Sequence, residues 1–143
     1  IVEPVAPFCT RAMADGMDRF WRMRSWLDYA ALPPERQARV LPYIVRWISR
    51  GATLTGAEVF TGFSQMAALR DAALGAIRGF DFLLSPVAPV ARFPAEWASP
   101  INDPERPFEH IAFTLPFNMS EQPAISVDCG RTPEGAPIGL QIA

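Results

Sequence analysis

The 143 residues predict an α/β protein. Three observations carry that reading. Between Gly56 and Arg78, apolar residues recur at helical spacing, with signals for both helix ends. At Phe82 the period changes to a short continuous apolar run. Further on, two apolar stretches flank Pro133-Glu134-Gly135, a turn signal that predicts a hairpin.

The elements follow in chain order. Met13, Met17, Phe20, Met23 and Leu27 predict a helix from Thr10 to about Ala30, with Thr10 as N-cap and Pro33-Pro34 closing it. A short helix is expected from Pro34 to Leu41, and Pro42 opens another. Ile44, Val45 and Ile48 line one face of that piece. Gly51 stands where a left-handed C′ residue is wanted. Thr55 and Glu58 have capping-box spacing before the clearest helix, which Gly79 ends. Its apolar face comprises Val59, Phe63, Met66, Ala67, Leu69, Ala73, Leu74 and Ile77.

Phe82-Leu83-Leu84 reads as a buried strand, central in a sheet covered by helices. Six prolines between residues 86 and 107 then predict a long, stiff loop. A short segment from Phe108 to Met119 precedes the hairpin strands Ala124–Cys129 and Ile138–Ile142. The amino terminus, Ile1-Val2-Glu3-Pro4, has no basic n-region, and the chain stops on a strand. Both ends read as cut rather than finished.

Composition narrows the chemistry. The net charge is −2, so no bulk electrostatic case exists for nucleic acid or an anionic membrane. No apolar stretch approaches the ~20 residues of a membrane span, and a cytoplasmic location is expected. All 13 basic residues are arginine, which excludes a lysine base, a Schiff-base lysine or a P-loop lysine within these residues. Cys9 and Cys129 form no metal-knuckle pattern, and His110 is the single histidine. Neither a metal nor a cofactor is expected. The seven serines are isolated and no two glycines are adjacent, so the residues hold no GxSxG elbow or Gly-rich oxyanion loop. Cys129 with His110 is the one nucleophile–base pair the composition permits, and buried thiols are its plain alternative. The residues by themselves show no complete catalytic constellation.

Three segments do match a family pattern. Asp81-Phe82-Leu83-Leu84-Ser85-Pro86-Val87-Ala88-Pro89-Val90 resembles the strand and loop of amidase signature enzymes. Leu115-Pro116-Phe117-Asn118-Met119-Ser120-Glu121-Gln122-Pro123-Ala124-Ile125-Ser126-Val127 is similar to their "P-F-N-x-T-G-x-P-A-I-S-V" segment. Gly130 with Glu134-Gly135-Ala136-Pro137-Ile138-Gly139-Leu140-Gln141-Ile142 resembles their final hairpin. The motifs cover residues 81–143. The helix over 56–79 fits by position and type, and residues 1–50, predicted helical, match weakly.

The resemblance implies a partial amidase signature fold: several helices and a few strands of a mixed sheet, truncated at both ends. It implies a C-terminal, non-catalytic region of a serine-type amidase of the Ser-Ser-Lys class, with those catalytic residues far upstream. Phe113, Thr114, Phe117 and Asn118 would then bind a small amide substrate or shape its pocket, unless they only pack the sheet. The partner implied is the N-terminal half of the same domain, and exposed edges favour a homo-oligomer of the isolated chain. The alternatives are an amidase-like interaction scaffold and a thiol hydrolase. Two departures stand out: Glu121 replaces a glycine of the pattern, and Asp128 replaces a proline. Ile111 also stands where glutamine-using members carry an acidic residue, which favours a more apolar amide.

Overall fold

The computed structural model describes residues 1–90 and 92–143. Helix α1 spans Arg11–Ala30, and the Thr10 hydroxyl accepts from the Met13 amide at 3.2 Å, as its N-cap role requires. Helix α2 is a single turn, Pro34–Gln37, rather than reaching Leu41. Arg39 and Val40 close i→i+3 turns, and Leu41, forced out of the helical region by Pro42, has φ −54° and ψ 135°. Helix α3, Pro42–Ser49, begins at that proline.

A 3₁₀ turn over Arg50–Thr53 follows. Gly51 lies within it and is not among the residues of positive φ, so the predicted left-handed cap does not form. Glycine is needed there for another reason: a Cβ would sit 2.4 Å from the Arg22 carbonyl oxygen. Helix α4, Gly56–Ala76, carries the predicted capping box, with Thr55 N donating to Glu58 at 2.8 Å and Glu58 N donating to Thr55 at 3.2 Å. Gly79, at φ +92°, turns the chain beyond it.

Helices α1 and α4 meet at two glycines. A Cβ on Gly62 would lie 2.3 Å from the Gly16 carbonyl oxygen, and one on Gly16 would lie 2.4 Å from Gln65 Cγ. This approach closes a core of Met17, Leu69 and Leu115, against which Phe8, Cys9, Met13, Trp21, Met66, Ile111 and Met119 pack. Leu115 belongs to α5, Leu115–Ser120. The apolar face predicted for α4 is only partly covered. Leu69 and Ala73 are buried, whereas Phe63 and Leu74 are exposed, as is Phe60 at 72 %. The helix is apolar around most of its girth, and α1 with α5 covers one side only.

The sheet holds β1 (Leu84–Pro86), β2 (Ile125–Arg131) and β3 (Pro137–Ile142), in the order β1-β3-β2. Three corrections follow. Both pairings are antiparallel, where the resemblance implies a mixed sheet. The first strand lies at an edge, because the hairpin strand β3 inserts beside it and takes the centre. That strand is also shifted toward Pro86: Phe82 is exposed, and Leu83 joins the ladder only through paired bonds with Ala143 at 2.8 and 3.0 Å. The hairpin itself forms as predicted, with Gly135 at φ +81° and its amide donating to the Thr132 carbonyl.

The proline-rich stretch is tied to the helices rather than merely stiff. Ser99 is fully buried beside the Tyr43 hydroxyl at 3.1 Å, and that hydroxyl donates to the Asp103 carbonyl at 3.0 Å. Phe108 stands edge-on to Trp21 and Trp47, with centroids 4.9 and 5.8 Å apart. Among the described residues, no helix is long and apolar enough to cross a membrane.

The two helix glycines of α4 separate a packing role from a propensity role. Gly62→Ala drives a Cβ into a backbone carbonyl and lowers stability by about 1–3 kcal/mol. Gly75→Ala meets nothing within 4 Å and raises stability by roughly 0.5–1 kcal/mol through helix propensity and a less flexible unfolded chain. Denaturant midpoints of the two variants check the opposite signs.

Candidate functional site

The segment from Phe113 to Asn118 stands between two concavities. It is placed by the 3₁₀ turn Glu109–Ile111 before it and by α5, which Pro116 helps to start. On one side is an open groove of about 1500 Å³, walled by Phe113, Leu115, Pro116 and Phe117, by residues 79–86, and by the first residues of the chain. On the other is a cleft of about 340 Å³, bounded by Thr114, Phe117, Asn118, Gln122, Ser126 and Gln141 among others.

The four predicted substrate residues are therefore divided. Phe113 faces the groove, Thr114 and Asn118 the cleft, and Phe117 borders both. The Asn118 side chain donates to the Thr114 carbonyl at 3.3 Å, holding the first turn of α5. Ile111 packs against the Met17–Leu69–Leu115 core and presents no charge to either concavity.

The rim of the groove is charged. Arg11 reaches Asp15 at 2.7 Å and Glu109 at 3.3 Å, and Arg106 reaches the same Glu109 oxygen at 3.1 Å. Deeper lies a buried pair that sequence reasoning misses. Arg22, 4 % exposed, donates to Asp18 at 2.7 Å, to the Trp47 carbonyl at 3.2 Å and to the Pro104 carbonyl at 2.7 Å. The Trp47 indole donates to the other Asp18 oxygen at 2.7 Å. Burial pushes the Asp18 carboxyl above its ordinary range, outweighing the indole and guanidinium that favour its charge. The i, i+4 spacing of Asp18 and Arg22 on an otherwise apolar helix face is the available signal. Gln141, also missed, is 5 % exposed and joins the sheet to this segment, its Nε2 donating to Ser85 Oγ at 3.0 Å and to the Phe113 carbonyl at 2.9 Å.

The thiol–imidazole alternative does not form. Cys129 is exposed in a bulge of β2, and the buried Nδ1 of His110 has no hydrogen-bond partner among the described residues. Burial raises the Cys9 thiol, the reverse of nucleophile activation. No group of three or more His, Cys, Asp or Glu residues that could hold a metal occurs among the described residues.

Both family departures are visible as local structure. Glu121 takes the left-handed conformation, φ 58° and ψ 25°, that the pattern's glycine would adopt freely, and its carboxylate meets Arg70 at 2.9 Å. Asp128 accepts from Arg131 at 2.6 Å and from the Gly130 amide at 3.1 Å. These bonds brace the bulge and hold the Asp128 carboxyl below its usual range.

An α/β framework with its substrate-side segment between helix and sheet is the class of protein these features define. The chain belongs to the amidase family, whose model matches residues 8–143. It is 31 % identical over 122 residues to an acylamidase of Rhodococcus erythropolis, covering 81 % of this chain and 25 % of that protein. It is 45 % identical over 62 residues to a glutamyl-tRNA(Gln) amidotransferase of Prochlorococcus marinus (strain MIT 9211), covering 43 % of this chain and 12 % of the relative. Among solved structures, a bacterial aryl acylamidase of the amidase signature family aligns with a TM-score of 0.71 at 21 % identity, over 95 % of this chain and 30 % of its own. A crystal structure of an amidase aligns at 0.74 and 24 % identity, over 92 % of this chain and 31 % of its own. The chain thus spans about a quarter of the acylamidase's length.

Two substitutions test this local reading. Glu121→Gly relieves a left-handed conformation and raises stability by about 1 kcal/mol, since the exposed Arg70 pair it removes is worth little. Arg22→Met strands the buried Asp18 charge and costs about 3–5 kcal/mol. The pH dependence follows from the raised Asp18 pKa. The folded state binds the proton more tightly than the unfolded chain, so this group's contribution declines as pH climbs from roughly 3.9 into the raised range. Asp18→Asn removes that decline, which unfolding titrations across acidic pH will show.

Proposed function

We propose that this chain is the C-terminal, non-catalytic region of a serine-type amidase that hydrolyses carbon–nitrogen amide bonds. It supplies sheet core and one wall of the substrate pocket. The single observation that carries the reading is compositional: the amidase match runs over residues 8–143, yet the chain holds no lysine, no Ser-Ser pair and no Gly-rich stretch. A Ser-Ser-Lys machinery would therefore be supplied by residues outside this chain, which spans a quarter of its acylamidase relative. Without nucleophile, base and oxyanion donors, binding contributions alone remain.

The substrate we infer is a small, largely apolar amide. Ile111 in the core leaves no carboxylate at the position where a substrate ammonium would be held, and Phe113 and Phe117 give the groove an aromatic wall. The acylamidase relative aligns over most of the chain, whereas the amidotransferase relative aligns over less than half. Phe113, Thr114, Phe117 and Asn118 are the proposed substrate-side residues. The isolated chain would also self-associate through its uncovered apolar surfaces, Phe60 and Phe63 on α4 and Leu84, Ile125 and Ile138 on the sheet.

The purified 143-residue chain is expected to show no amide hydrolysis, while the full-length protein hydrolyses aryl acylamides in preference to glutamine. In the full-length protein, Phe113→Ala raises KM for an aryl amide ~10-fold and changes kcat little, as lost pocket contact requires. Turnover by the isolated chain, or glutamine used as readily as an anilide, would overturn the reading. Sedimentation at high concentration checks the self-association, and a strictly monomeric profile contradicts it.

A further inference from the structure

We propose that Gln141 is a positioning residue, fixing the pocket-wall segment through the Phe113 carbonyl. The inference rests on the amidase reading above for its catalytic consequence, and on geometry for its mechanism. The Phe113 carbonyl lies just before Thr114, the N-cap of α5, outside that helix's own ladder. Gln141 Nε2 donates to it at 2.9 Å from the central strand, across 28 residues of sequence. The same nitrogen donates to Ser85 Oγ at 3.0 Å, on the neighbouring strand β1.

A carboxamide suits this place. Its two N–H bonds diverge, so one nitrogen serves the strand and the segment together. At 5 % exposure, water offers little substitute for either bond. The surroundings leave little room for another arrangement. Gly139 precedes Gln141 by two on the same face of β3, and a Cβ there would lie 2.7 Å from Val87 Cγ2 and 3.3 Å from Ser126 Oγ. Gln141 borders the cleft with Thr114 and Asn118, while the carbonyl it holds belongs to Phe113, which faces the groove. One hydrogen bond thus sets the orientation of the peptide between the two concavities.

The test compares Gln141→Leu, Gln141→Glu and Ser85→Ala in the full-length protein. Gln141→Leu should raise KM for an aryl acylamide at least tenfold, with kcat within about threefold of the parent. Ser85→Ala keeps the bond to Phe113 and should leave KM within about twofold. Gln141→Glu sets a carboxylate against the carbonyl at neutral pH, and protonation restores a donor. Its KM should therefore fall toward the parent value as pH drops, a trend the parent lacks. Equal effects of Gln141→Leu and Ser85→Ala, or a pH-independent Gln141→Glu, would show a purely structural strand contact and overturn the proposal. Hydrogen exchange supplies a readout independent of turnover: Gln141→Leu should lose amide protection at residues 113–118 while α4 keeps its own. If the parent hydrolyses no amide, the amidase reading fails, and the exchange pattern alone then decides the anchoring. Unchanged protection at 113–118 would refute it.

Discussion

Gly16 and Gly62 face each other where α1 crosses α4, and the backbones approach so closely that no side chain fits between them. Much of the molecule hangs on that separation. At this spacing Met17 and Leu69 interlock, and the remaining gap is filled by Leu115 from α5. Seating Leu115 places the residues immediately before it, Phe113 and Thr114, above the sheet. Widening the crossing by one methyl would loosen Leu115 first, because a close-packed core has no spare volume to redistribute. The pocket-wall segment is therefore governed by two glycines well removed from it in sequence, and it is held on the sheet side by Gln141.

The C-terminal half of α1 solves a different problem. Arg22 lies against the Gly51 turn, where a helix of ordinary diameter leaves a polar guanidinium without water. Its bonds to Asp18, Trp47 and Pro104 join three parts of the chain: α1, α3 and the proline-rich stretch. The raised Asp18 pKa shows that the pair's attraction does not fully offset the desolvation of the carboxylate. Such a pair contributes register more than net stability. It fixes where the loop crosses the helices, because an Arg22 displaced by one turn would lose all three acceptors together.

Local signals in the sequence are legible where one element decides its own ends. Thr10, the Thr55–Glu58 capping box, Gly79 and the Pro133-Glu134-Gly135 turn all act within a few residues, and all form. The sequence misleads where tertiary contacts decide. Gly51 reads as a cap although its missing Cβ serves a helix contact, and both demands select the same residue type. Phe82–Leu84 reads as a central strand because a continuous apolar run does not reveal which strands flank it. The arrival of β3 beside it, more than 50 residues later, sets its place at the edge. Of the site, Phe113 to Asn118 are recognisable through motif resemblance. Arg22 and Gln141 act through long-range bonds, which no periodicity encodes.

The uneven burial gains meaning from the proposed division of labour. Phe60, Phe63, Leu84, Ile125 and Ile138 are strand- and helix-borne apolar residues left open, while the polar contacts of Arg22, Tyr43, Ser99 and Gln141 are completed inward. A domain that packed its apolar groups as carefully as these polar ones would show the reverse bias toward exposed charge. Buried polar groups demand partners locally and at fixed angles, so they must be satisfied within the region that holds them. Apolar surface is non-directional and accepts any complementary cover. A region whose polar bonds close internally but whose apolar faces do not is thus suited to being completed by further protein. The groove beside Phe113 then becomes a substrate wall only when that covering supplies the opposite side and the nucleophile.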